Sequence, residues 1–223
     1  MTAQSTQQSL DKDNPVIALC SQGMRAEAEG RPAEAKALFE QAWERAGDDY
    51  EACVAAHYLA RHQSTIADEL HWNQVCLARA DAVGDERVAA FYPSLHACIA
   101  RCHRALGDAE QAATHFRHAA DRLGALPSGG YADWLRYAVA EGLRDTGAVV
   151  HNSGEQRVAD LLDLLCEQRD LRSLAVLLPA FCGHTGTSQD RRRLAEAAHR
   201  LHAERRLPAE AEDILRAALT ALS

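Results

Sequence analysis

Between His57 and Cys76 the chain reads HYLARHQSTIADELHWNQVC, which sets an imidazole, a carboxylate and an amide (His57, Glu69 and Asn73) at helical spacings. A carboxylate beside an imidazole raises its pKa and fixes its tautomer, giving an oriented base suited to proton transfer near neutral pH. His96 and His103 lie seven residues apart, hence on one face of a helix. Stacking should turn that face towards the helix carrying Glu69, Asn73 and Cys76. Three readings fit such a set. It is a satisfied polar network with a structural role only, a proton-transfer site built on His57, Glu69 and Asn73, or a zinc or iron site using His57, Glu69, His96 and His103. An unpaired buried carboxylate costs several kcal/mol, so a His57–Glu69 pair is the economical arrangement. No HExxH or comparable signature accompanies these residues, and no resident metal or cofactor is expected.

Other residues with chemical potential read more plainly. Cys98 and Cys102 are four apart and followed by His103, but no second pair stands at zinc-finger spacing, so small-residue packing is the expectation. His115 and His118 should sit near the outer surface, and His199 and His202 on the seam of the last helix pair. The stretch CGHTGTSQDRRR is a loop with Ser188 as the expected N-cap, and it lacks the GxxxxGK[ST] phosphate cradle. No GxSxG or GxGxxG fingerprint occurs.

These side chains must be positioned by helices. Beyond a polar start of fourteen residues, expected to be a flexible tail, apolar and small residues recur at spacings of three and four. Gly-Arg-Pro, Gly-Asp-Asp, Gly-Asp-Glu and Gly-Asp-Ala break the pattern as helix stops followed by new caps. The resulting map has helices at about 16–29, 32–46, 48–63, 65–82, 87–106, 108–123, 130–146, 155–168, 170–182, 188–205 and 208–222. The link GAVVHNSGE is taken as the internal boundary, giving a tail over 1–14, a block over 15–147 and a second over 155–223 that continues the array.

The helices also repeat. Gly23, Ala35, Phe39 and Ala42 are separated by twelve, four and three residues; Ala100, Ala112, Phe116 and Ala119 repeat that spacing, as do His199, Ala211, Leu215 and Ala218. RPAEAKALFEQAW is echoed by LPAEAEDILRAAL. This pattern resembles the tetratricopeptide repeat, well over 16–49 and 93–126 and partly over 50–83 and 192–223. In that family a small residue on the first helix of a hairpin faces a small one on the second, and an aromatic closes the seam. The resemblance implies an all-α, right-handed α-solenoid of about eleven helices whose first helices line a concave groove.

It also implies ligand-facing positions one step off the seam. Tyr58, Arg61 and His62 would face the groove from the second hairpin, Arg101 and Arg104 from the third, and Trp134 and Tyr137 from the next helix, with His96 and His103 on the adjoining seam. Aromatic anchors with arginines suit a peptide, a protein partner or a carboxylate-bearing small ligand. A binding or scaffold protein is the leading expectation. The alternative is a small-molecule enzyme of specialised metabolism that uses the same scaffold and the His57, Glu69 and Asn73 seam.

Composition bounds the rest. A formal charge of −8 over 223 residues disfavours a general nucleic-acid binder. No apolar run suits a membrane span and no secretory leader is evident, so a cytoplasmic protein is expected. Seven cysteines without CxxC pairs point to reduced thiols. Lys12 and Lys36 are the only lysines against many arginines, the pattern of GC-rich bacterial coding. The apolar run LRSLAVLLPAF, residues 171–181, would serve the C-terminal core or self-association as a homodimer.

Overall fold

The structure, a computed structural model, describes residues 14–222. Among them there is no strand, and twelve α-helices account for most of the chain. The tail expected over 1–14 lies outside the described residues except for Asn14. That residue is ordered: its side chain accepts from the Val16 and Ile17 amides and caps the first helix, and it donates to Glu51 at 2.6 Å. No helix among the described residues is long and apolar enough to cross a membrane.

By packing, the chain divides after Pro127 into two units, earlier than the boundary expected at GAVVHNSGE. The first unit holds α1 (Pro15–Ala28), α2 (Pro32–Arg45), α3 (Asp49–Ala60), α4 (Ile66–Val83), a one-turn α5 (Glu86–Ala89), α6 (Tyr92–Ala105) and α7 (Ala109–Arg122). Several helices start where a side chain satisfies the donors of the first turn. Asp48, Thr65 and Asp108 cap α3, α4 and α7 through their side chains, and Gly84 ends α4 in the left-handed conformation. The helix expected over 87–106 is broken at Ala90–Phe91 into α5 and α6, because Pro93, in the first turn of α6, has no N–H to donate to the Ala89 carbonyl.

Helices α1 with α2, α3 with α4, and α6 with α7 form hairpins, and α2 packs on α3 and α4 on α6. Burial explains the register. Gly23, Ala35, Phe39 and Ala42 are all buried, and a Cβ on Gly23 would stand 2.3 Å from the Phe39 ring. The glycine is thus what lets the phenylalanine cross the seam. Ala100, Ala112, Phe116 and Ala119 repeat the arrangement in α6 and α7. Between these hairpins, Trp43 and Trp72 meet edge to face at 5.0 Å over a core of Cys53, Ala56, Cys76 and Leu95.

The second unit holds α8 (Gly130–Asp145), α9 (Ser153–Glu167), α10 (Leu171–Cys182), α11 (Ser188–Ala203) and α12 (Ala209–Leu222). Its helices close rather than continue a stack. Helix α9 packs on α10 and also on α12, while α11 packs on α10 and α12. A Cβ on Gly154 would lie 2.9 Å from the backbone of Ala221, so α9 and α12 approach closely. One core of Val158, Leu161, Leu165, Leu177, Leu194, Leu201 and Leu215 draws on all four helices. On the last pair, Ala211, Leu215 and Ala218 are buried as expected, but His199 is exposed and its neighbour Ala198 takes the inward slot. The apolar run of α10 supplies Leu174 and Leu177 to this core and leaves Leu171 and Leu178 exposed.

Candidate functional site

The seam of the second hairpin differs from its neighbours by exchanging large for small. His57 stands in the slot of Gly23 and buried Asn73 in the slot of Phe39, an exchange that keeps side-chain volume across the hairpin roughly constant. The expected His57–Glu69 pair does not form. The His57 ring packs edgewise against Tyr58 and Phe91, at 5.3 and 5.4 Å, and its Nδ1 is buried without a hydrogen-bond partner. Burial, with a smaller contribution from Arg61, pushes its pKa from 6.5 down to about 4. Such an imidazole is neutral at pH 7 and has no carboxylate to orient it. The Asn73 amide donates to the Glu69 carbonyl at 2.8 Å, a bond within its own helix. Cys76 Sγ donates to the Cys53 carbonyl at 3.1 Å, with the two sulfurs 3.7 Å apart.

Glu69 is claimed instead by Arg101, whose Nη2 donates to it at 2.7 Å from α6. A matching clamp lies at the end of α3. Glu27 on α1 accepts from Arg61 at 2.7 Å and lies 2.8 Å from His62 Nε2. Arg61 also lies over the Tyr58 ring at 5.0 Å, and Tyr58 stacks on buried Phe39 at 5.0 Å. Burial raises the Cys98 thiol pKa, Glu69 adds to the rise, and Arg101 and Arg61 oppose it. Arg101 is thus held by Glu69 between α6 and α4, and Arg61 by Glu27 between the end of α3 and α1. Their side chains remain 46% and 56% exposed for Arg61 and Arg101. A guanidinium carries five N–H donors, so each retains donors beyond its carboxylate contact. Arg104 is exposed on the same helix.

His96 and His103 do not face α4. Together with Ala100 they occupy positions i, i+4 and i+7, and that face meets α7. There they join His115 and His118, the pair expected at the outer surface. His96 Nδ1 and His115 Nδ1 are 3.0 Å apart, His118 lies 5.2 Å from His96 by ring centroids, and His103 stacks on His115 at 5.7 Å. His118 is exposed and His103 also lies 3.4 Å from Asp108. Burial, then His115, Arg122 and His118, push His96 down to about 4, and burial with His103 and His118 lowers His115. Among the described residues no group of three or more His, Cys, Asp or Glu side chains is arranged, as it stands, to hold a metal ion. All seven cysteines are free.

The remaining expected ligand positions, Trp134 and Tyr137, belong to α8 in the second unit. Trp134 is exposed and stacks on Tyr131 at 5.8 Å, while Tyr137 is half-buried against Gly183. An open depression of roughly 500 Å³ beside Trp43, Gly47, Asp49 and Arg79 involves none of the expected site residues.

The imidazole–carboxylate pair expected at 57 and 69 occurs in the second unit, at residues the sequence reading passed over. His184 and Glu155 are 1% and 2% exposed, with Nε2 and Oε1 3.2 Å apart. His184 Nδ1 accepts from the Gly186 amide, so the proton sits on Nε2 and faces Glu155, out of line for a hydrogen bond. Glu155 closes the capping box of α9 by accepting from the Asn152 amide. Nearby, buried Asp190 accepts from Thr185 N, Thr185 Oγ1 and Thr187 Oγ1 at 3.0, 2.7 and 2.8 Å. Burial alone would raise its pKa, but these bonds outweigh it and hold the carboxyl below its ordinary value. The cap of α11 is therefore Thr187, with Ser188 as the first helical residue, because the Thr187 hydroxyl is the one that reaches the Asp190 amide. Both carboxylates are closed to solvent, which suits a network that fixes the 183–187 loop rather than one that meets a substrate.

Comparison with protein-family models, with curated proteins and with solved structures finds no match for this chain.

Proposed function

We propose that the protein is a helical-repeat binding protein whose first unit stacks its hairpins as a tetratricopeptide-like α-solenoid and holds an acidic partner on the face of α3 and α6. One observation carries this reading. Arg61 caps the end of α3 and Arg101 stands on α6, the first helices of successive hairpins, each anchored by one carboxylate from a neighbouring helix and each with N–H donors left over. Glu27 and Glu69 hold the guanidiniums in place, so little side-chain freedom is lost when a ligand carboxylate arrives. The Tyr58 ring beneath Arg61 adds an apolar shelf. The occupant is an acidic peptide or the carboxylate-bearing segment of a cytoplasmic protein. Proton-transfer catalysis at His57 finds no support in its geometry, because the imidazole lacks the carboxylate that would orient it.

The test is fluorescence anisotropy with a fluorescein-labelled hexaglutamate peptide at low salt. A charge-assisted hydrogen bond contributes about 1.5–3 kcal/mol, so Arg61→Gln or Arg101→Gln should weaken binding about tenfold or more. Circular dichroism should remain that of the parent, since both side chains are exposed. Equal affinity for parent and double variant would overturn the reading.

A further inference from the structure

The second hairpin also differs from its neighbours in the sulfur it encloses. By the repeat spacing, the positions that correspond to Cys53 and Cys76 hold Leu19 and Ala42 in the first hairpin and His96 and Ala119 in the third. A large and a small residue there give way to two thiols. Both are completely buried, and their Sγ atoms are 3.7 Å apart, in van der Waals contact. Around them stand Ala56, Ala80, Val88 and Leu95, whose side chains offer no competing polar group. Cys76 Sγ is held on the α3 side of the seam by its bond to the Cys53 carbonyl. One such thiol would be ordinary packing, since free cysteine behaves as a small apolar residue. Two in contact, on the facing helices of one hairpin, are also the reduced form of a crosslink.

We propose that Cys53 and Cys76 form a reversible disulfide when the chain meets a hydroperoxide, stapling α3 to α4. The sulfurs must close by about 1.7 Å to reach bonding distance, a movement that rotation about the two Cα–Cβ bonds supplies. In the reaction one thiol attacks a peroxide oxygen, the O–O bond breaks, and water or an alcohol leaves, giving a sulfenic acid. The second sulfur displaces that hydroxyl as water and the S–S bond forms. Two electrons pass from sulfur to the peroxide, and both thiol protons leave with its oxygens. The S–H bond that Cys76 gives to the Cys53 carbonyl is thereby spent. The contact with Cys53, and then burial, raises the Cys76 thiol pKa well above its ordinary value, and neither sulfur meets solvent in the closed hairpin. Oxidation therefore begins when the hairpin opens transiently and is completed as it recloses, which makes it slower than at exposed Cys166. Cys98 also acts on Cys76 and is the alternative partner.

The experiment treats the native full chain with hydrogen peroxide, blocks the remaining thiols with N-ethylmaleimide in denaturant, and maps the non-reduced peptides by mass spectrometry, with calorimetry on the same samples. The expected product is a pair of peptides joined through Cys53 and Cys76, lighter by two hydrogen atoms than the separate thiols and released by dithiothreitol. It should form after Cys166 has reacted and raise Tm by about 5 °C or more, because it closes a loop between residues twenty-three apart. Cys53→Ala and Cys76→Ala should each abolish the crosslink, and Cys98→Ala should leave it in place. Alanine already fills the position of Cys76 in the other two hairpins, so Cys76→Ala keeps the test meaningful should Cys53→Ala fold poorly. Peroxide that consumes Cys166 while Cys53 and Cys76 stay free overturns the proposal, as does Cys76 joined to Cys98 in place of Cys53, or a crosslink that lowers Tm. None of these outcomes depends on whether an acidic peptide binds Arg61 and Arg101.

Discussion

Replacing His57 with leucine should make the protein less sensitive to acid without weakening it at neutral pH. In the folded state the pKa of His57 falls from 6.5 to about 4. The group is neutral in both states above pH 6.5, so its full contribution is present there. As pH falls below 6.5 the unfolded chain takes up a proton that the folded chain refuses, and stability is lost down to about pH 4. From pH 7 to pH 5 the ratio of the two protonation polynomials gives a loss of about 2 kcal/mol for this one residue. Leucine removes both the proton uptake and the unpartnered Nδ1 while filling a similar volume against Tyr58 and Phe91. Urea denaturation at pH 7 and pH 5 measures the difference. The parent should lose about 2 kcal/mol more than His57→Leu over that interval, and the two should agree within about 1 kcal/mol at pH 7. Equal losses in both proteins would show that the imidazole titrates freely in the fold and would refute its assignment as an enclosed neutral base.

Two further substitutions probe the packing and the loop network. Gly23→Ala would normally favour a helix by about 1 kcal/mol, but the new methyl 2.3 Å from the Phe39 ring forces a buried, stacked side chain to move, at a cost of about 1–3 kcal/mol. A net fall of several degrees in Tm is expected, and Phe39→Leu in the same chain should recover part of it; a rise in Tm would count against the seam. Asp190→Asn should destabilise by about 1–3 kcal/mol at pH 7 by disturbing the bonds from Thr185 and Thr187. Because the folded carboxyl is held below its ordinary pKa, that contribution is present above about pH 4 and fades as pH falls through the folded value, so the gap between variant and parent should narrow in acid.

The helical class was legible because local signals agree: Asn14 and Asp108 cap α1 and α7, glycines follow α1, α2 and α6, and a small–aromatic seam joins each of these hairpins, although the start of α6 was not marked. The seam spacing also assigned Arg61 and Arg101 to the first helices of successive hairpins, since a face one step off an expected interface can be counted from sequence. Partners across helices were less legible. Glu69 can be reached from α3 or α6, and the spacing of His57 to Glu69 says nothing about the longer reach of Arg101. His96, Ala100 and His103 share one face, so assigning Ala100 to the α6–α7 seam already assigned both histidines to it; that consequence of the periodicity was available. The closure of α9 onto α12 was not, because leucines at helical spacing fit a ring of four helices as well as a stack of hairpins. Nor was the Glu155–His184 contact, whose members are brought together by a loop with no periodicity of its own.

The arginine face is tested most directly by the side-chain Nε–Hε resonances of the protein labelled with ¹⁵N-arginine, followed while the hexaglutamate peptide is added. Signals of Arg61 and Arg101 should shift together along one saturating curve, at the affinity found by anisotropy, while those of exposed Arg191 and Arg192 stay in place. Shifts confined to Arg191 and Arg192, or a bound peptide that leaves Arg61 and Arg101 unmoved, would contradict the assignment of this face as the binding surface.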